Sequence, residues 1–182
     1  MTNNIGKDFI HYKVIDFSDD PINPKSGTLR YETSVIQGKV WITLQRNMHI
    51  KFERPLLISS FTTVDGHQCN HPWHSGSLSQ TTNPWDCNLP EGKIWIDHNT
   101  LYDCQDGLFD VTRDSIYVTI SKNWFINQDK VMFLGHGDGC VRDYNMKVII
   151  TYNHFEPNSN QRIRRTRYEY VHVANNLYLE WV

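Results

Sequence analysis

Residues 94–102 read IWIDHNTLY, and three later stretches repeat their design: VTISKNWF (118–125), VIITYNHF (148–155) and VHVANNLY (171–178). Each is a short run rich in β-branched residues, then an asparagine, then two residues dominated by large apolar side chains. The asparagines are Asn99, Asn123, Asn153 and Asn176, spaced 24, 30 and 23 residues apart. A period in the twenties built of strands and turns, with no helical periodicity between them, marks a β-solenoid. The expected architecture is all-β, each coil laying its strands in parallel on those of the next. Asparagines at one template position then stack as a ladder, each amide bonding the next. As turn residues, asparagines also tolerate the left-handed backbone region. The apolar positions of the template read as core.

Working outward, the first third is also strand-rich, in KVWITLQ (39–45), HIKFER (49–54) and LLISSFTTVDG (56–66), but shows the asparagine template less clearly. SDD and NPKSGTLRY near the N-terminus read as turns. The chain, 182 residues long, is read as a single β-helix domain over 1–182, interrupted at 70–92. That interruption carries three prolines and many Ser, Thr and Asn, and no strand alternation. It is long for a loop in a compact domain. No apolar run is long enough for a transmembrane helix, so no membrane partner is expected. The polar start MTNNIGKDF is not a signal peptide. The four cysteines are too few and too spread to indicate a disulfide framework.

Eighteen Lys and Arg stand against 20 Asp and Glu, a formal net charge of −2. Nucleic-acid binders show a basic excess, so no nucleic-acid partner is expected. Against that neutral background, NQRIRRTRYEY (160–170) gathers Arg162, Arg164, Arg165 and Arg167 within six residues, which asks for a local anion. CQDGLFD (104–110) places Asp106 and Asp110 four apart around a glycine-led turn. In extended chain, such positions share a face and form a hard-oxygen site suited to Ca²⁺. Two carboxylates alone fall short of the roughly six to eight oxygens Ca²⁺ takes, so water, carbonyls, other acids or an acidic ligand must complete it. A solvated turn with two unrelated acids has the same spacing. Lys130 in NQDKVMFLG follows Asp106 by 24 residues, one coil, which sets it near Asp106 on the adjacent coil. A line of acid, lysine and arginine across successive coils suits a polyanion held partly through a bridging cation. HQCNHPWH (67–74) invites a zinc reading through His67, Cys69, His71 and His74, but its spacing fits no familiar structural zinc pattern.

These residues carry a resemblance. DDPINPKSGTLRY (19–31), LISSFTTVDG (57–66), WIDHNTLYDCQDGLFDVT (95–112), NQDKVMFLGH (127–136), RDYNMKV (142–148) and NHFEPNSNQRIRRTR (153–167) resemble plant pectate lyases of polysaccharide lyase family one. The likeness covers roughly residues 8–69 and 93–181. It implies a right-handed parallel β-helix, in accord with the period read above. It also implies Ca²⁺-dependent β-elimination on de-esterified homogalacturonan (polygalacturonate), by a secreted, monomeric cell-wall enzyme. Carried over position by position, Asp106 and Asp110 become Ca²⁺ ligands. Lys130 and Arg167 bind substrate, and Arg162 becomes the catalytic base.

The sequence departs from the family pattern in three places. An Asp-Gly-Asp element that supplies a further Ca²⁺ ligand ahead of WIDH is replaced by 70–92, where Asp86 is the acid near the right place. Arg164 stands where the family has proline, and the chain is shortened at both ends relative to the family. Two functions therefore use the same residues: a lyase, or a β-helix that binds acidic polysaccharide without cleaving it.

Overall fold

The computed structural model describes residues 8–45, 48–67, 73–74, 78–80, 93–104, 107–111, 117–135, 145–157 and 170–180. Within them three parallel sheets wrap one core as a right-handed parallel β-helix. The first sheet has seven strands in the order β1 (Ile10–Val14), β2 (Val40–Leu44), β4 (Thr62–Asp65), β7 (Ile94–Asp97), β10 (Val118–Ser121), β13 (Lys147–Thr151) and β15 (Tyr170–Ala174). The second stacks β5 (Trp73–His74), β8 (Thr100–Tyr102), β11 (Trp124–Ile126), β14 (His154–Phe155) and β16 (Leu177–Tyr178). The third stacks β3 (Leu56–Leu57), β6 (Leu78–Gln80), β9 (Phe109–Val111) and β12 (Met132–Leu134).

Every strand pair is parallel because each coil returns to the same sheet one layer up. The inward positions line up: Ile42, Val64, Ile96, Ile120 and Ile150 form one column in the first sheet, all at 0–1% exposure. In the second sheet Phe125 stacks on Phe155 at 5.0 Å and Phe155 on Tyr178 at 4.8 Å, with rings within 13° of parallel. Such contacts add to the area each ring buries.

The asparagine ladder sits at the corner between the first two sheets. Asn123 Oδ1 accepts from Asn99 N (2.9 Å) and Nδ2 (3.1 Å). Asn153 Oδ1 accepts from Asn123, and Asn176 Oδ1 from Asn153, in the same two-bond pattern. Each Nδ2 also donates to a strand carbonyl one coil back, such as Asn123 Nδ2 to Ile96 O (2.9 Å). The left-handed backbone belongs not to the asparagines but to the residues before them: His98, Lys122, Tyr152 and Asn175 have φ of 54–57°. The asparagine side chain is needed inside, where the sharp corner leaves backbone N–H groups without a strand partner.

Two early stretches depart from the sequence reading. NPKSGTLRY is not all turn: Leu29–Ser34 form a one-and-a-half-turn helix, α1, with Thr28 Oγ1 capping Tyr31 N at 3.4 Å. The helix packs against β1 and β3, the first strands of two sheets, and buries Leu29 and Thr33. HIKFER forms no strand, although its alternation does place Ile50 and Phe52 in the core. Arg30 fixes this region, with Nε and Nη2 on the Asp19 carboxylate at 2.6 and 2.8 Å. Its remaining donors reach Arg54 O and Pro55 O. Within 70–92, β5 and β6 take places in the second and third sheets; the other residues of that stretch lie outside the described residues.

Candidate functional site

The third sheet carries the acid of the DGLFD motif. Phe109 and Val111 turn inward at 1% and 0% exposure, which leaves Asp110 between them on the outward side, half-buried. Its strand is flanked on both sides: Ser79 of β6 and Phe133 of β12 are its register partners. The Asp110 carboxylate bends back over Gly107, where a Cβ would stand only 2.8 Å from Oδ1. Glycine is thus required at 107 for this carboxylate to lie where it does.

The following coil delivers Lys130 to the same sheet, two residues before β12. Lys130 O accepts from Leu108 N at 3.1 Å and Val131 O from Phe109 N at 3.0 Å, which docks the lysine's backbone onto the coil of Asp110. The two coils are pinned again at the preceding corner. Buried Gln128 accepts from Cys104 N through Oε1 at 2.7 Å, and Asn127 Nδ2 donates to Asp103 Oδ1 at 2.7 Å. Lys130, half-buried next to fully buried Val131, therefore starts from a fixed backbone. Gly107 and Gln128 are positioning residues that the sequence reading did not single out. Their signals were present, as a glycine directly after an acid and a polar residue two before the lysine.

Asp110 and Lys130 thus share one sheet on adjacent coils. Asp106, Asp86, Arg162 and Arg167, together with Arg164 and Arg165, lie outside the described residues. Of the His and Cys in HQCNHPWH, His67 is the one whose side chain is described. Its ring meets His98 edge-on at 4.5 Å, at the far corner between the first and second sheets. That corner also holds Asp65 and Asp97, acids that the sequence reading did not mark as a site.

A family model described as pectate lyase matches residues 27–182. The chain is 37% identical to pectate lyase 1 of Hesperocyparis arizonica, covering 93% of this chain and 57% of that protein. It is 37% identical to the pectate lyase of Zinnia elegans over 90% of this chain and 50% of that one. The crystal structure of jun a 1, the major allergen from cedar pollen, superposes with a TM-score of 0.71 at 35% identity, covering 94% of this chain and 60% of that one. The chain spans about half the length of these relatives, 50–57%. With the family model matched over most of its length, the chain belongs to the pectate lyase family.

Proposed function

We propose that this chain is a pectate lyase that cleaves de-esterified homogalacturonan by Ca²⁺-dependent β-elimination, acting outside the cell in the plant wall. The observation that carries the reading is the outward Asp110 carboxylate, seated over Gly107, with Lys130 docked on the same sheet one coil away. Membership of the family supports it.

The donor chemistry suits the ion. Asp110 offers hard carboxylate oxygen, half-buried, in space that a Cβ at 107 would fill. Asp106 and Asp110 would hold Ca²⁺, with Asp86 as a further acid ligand. When bound, the ion neutralises a uronate carboxylate and so acidifies the adjacent C5 proton. Lys130 and Arg167 bind substrate carboxylates and fix the sugar over the sheet. Arg162 takes the C5 proton; the released electron pair forms the C4–C5 double bond and the glycosidic oxygen departs from C4. Arginine ordinarily stays protonated, so this role requires positive charge beside it, and Lys130 and Arg167 supply that charge. Mass spectrometry of digested polygalacturonate separates the possibilities. Elimination gives unsaturated oligomers one water lighter than the products of hydrolysis. Hydrolytic products would refute the proposal. Retention on immobilised polygalacturonate with no product would leave binding without cleavage.

A further inference from the structure

At the corner between the first and second sheets, away from Asp110, two carboxylates stand on adjacent strands. Asp65 of β4 and Asp97 of β7 are direct register partners. Parallel strands lie about 4.8 Å apart, and like charges placed directly opposite destabilise a sheet. Asp97 is only 5% exposed. Among the described residues the basic side chain that pairs with these acids is His98, on Asp97, which leaves one imidazole to two carboxylates. Buried charge of this kind is normally paired or bound to a metal.

A network of hydrogen bonds and ring contacts surrounds the two acids. Trp95 Nε1 donates to Ser121 Oγ at 2.8 Å, which commits the serine hydrogen to Asp97 Oδ1. Asp97 Oδ2 lies 2.5 Å from His98 Nδ1, a hydrogen bond that an ion held by both groups would replace. Asp65 Oδ1 accepts from His67 N at 2.9 Å, and the His67 ring stands edge-on to His98. Gly66 brings the chain close enough for this: a Cβ there would fall 2.2 Å from His98 O and 2.6 Å from Asn99 Oδ1. Asn99 Oδ1 is a buried acceptor with no hydrogen-bond partner, lying against the residue that joins Asp65 to His67. One ligand atom from each of Asp65, Asp97 and His98 lies within 4.8 Å of the other two.

We propose that Asp65, Asp97 and His98 form a second metal site, for a first-row divalent cation such as Zn²⁺, separate from the Ca²⁺ site of the lyase reading. Two oxygens and one imidazole nitrogen are too few and too soft for Ca²⁺, and they match the three-ligand shells in which zinc keeps an open position. Ligand atoms around tetrahedral zinc sit about 3.4 Å apart, a spacing inside the 4.8 Å that bounds the three groups here. The ion removes the repulsion between the two acids. The Trp95–Ser121–Asp97 chain plays the orienting part that outer hydrogen bonds play around metals.

The test is titration of chelator-treated full chain with Zn²⁺ by calorimetry, with thermal melts to confirm that each variant is folded. One Zn²⁺ per chain is expected. Asp65→Asn and His98→Ala should each weaken binding at least tenfold. Ser121→Ala, which removes no ligand, should weaken it by about tenfold. Asp110→Asn and the combined Cys69→Ser/His71→Ala/His74→Ala variant should bind as the parent does. Unchanged affinity in folded Asp65→Asn and His98→Ala would overturn the assignment, as would loss of binding in the combined loop variant alone.

Discussion

Replacing Asn123 with alanine tests what holds the coils in register. Its side chain is fully buried and makes four hydrogen bonds: two accepted from Asn99, and one donated to each of Ile96 O and Asn153 Oδ1. At about 1 kcal/mol net for each, their loss costs about 4 kcal/mol. Asn99 N is buried and has Asn123 Oδ1 as its partner, so the substitution also strands a backbone donor, and the figure leans upward. The last rung supplies the control. Asn176 is half-buried, and three bonds depend on its side chain, to Asn153 N, Asn153 Nδ2 and Ile150 O. Water can replace part of what Asn176→Ala removes, so its cost is about 2 kcal/mol. Urea unfolding at 25 °C followed by circular dichroism and tryptophan fluorescence measures both. A cost below about 1 kcal/mol for Asn123→Ala, or equal costs at the two rungs, would refute the ladder's role.

Further outcomes follow from particular contacts. Gly107→Ala drives a Cβ to 2.8 Å from Asp110 Oδ1, so it should raise the Ca²⁺ needed for half-maximal polygalacturonate cleavage by about tenfold while the fold persists by circular dichroism. Phe125→Ala, in the middle of the stacked rings, should cost about 3–5 kcal/mol in the same urea assay. Glu32 is 1% exposed with Oε2 unpartnered; burial pushes its carboxyl above the ordinary glutamate range, and the Gly27 N–H bond offsets this only in part. The folded state therefore binds this proton more tightly than the unfolded one, and stability falls as pH rises through the shifted range. Glu32→Gln removes that slope: its melting temperature should exceed the parent's at pH 7.5, with the gap narrowing toward pH 4. A gap independent of pH would count against the buried charge.

The solenoid was legible because its corner demands one side chain at one place. Asn99, Asn123, Asn153 and Asn176 recur for that reason, and the parallel sheets follow from them. The early coils hid the template, and the register explains why. The slot two residues past Thr43, Asp65 and Asp97 holds Gln45, then His67, then Asn99. His67 turns its N–H to Asp65, and Asn99 Oδ1 is left at the ladder's end without a donor. Helix α1 was hidden by its length, too short to show a period among Pro, Gly and Ser.

Of the proposed lyase site, spacing alone offered Asp106 and Asp110 as acids on one face and Lys130 one coil on. The resemblance assigned their roles and those of the arginines. What could not be read was the support: Gly107 under Asp110, and Gln128 across the coils, are ordinary residues until the register is known. Asp65 and Asp97 escaped notice because a longer loop separates their strands, so the 24-residue spacing does not connect them.

The most direct test of the lyase reading is a Ca²⁺ series on polygalacturonate, following the ultraviolet absorbance of unsaturated product with the full chain, Arg162→Ala and Asp110→Asn. The account predicts product formation that a chelator stops, that Arg162→Ala abolishes, and that Asp110→Asn shifts to at least tenfold higher Ca²⁺. Product that forms equally well with chelator present, or undiminished in Arg162→Ala, would contradict it.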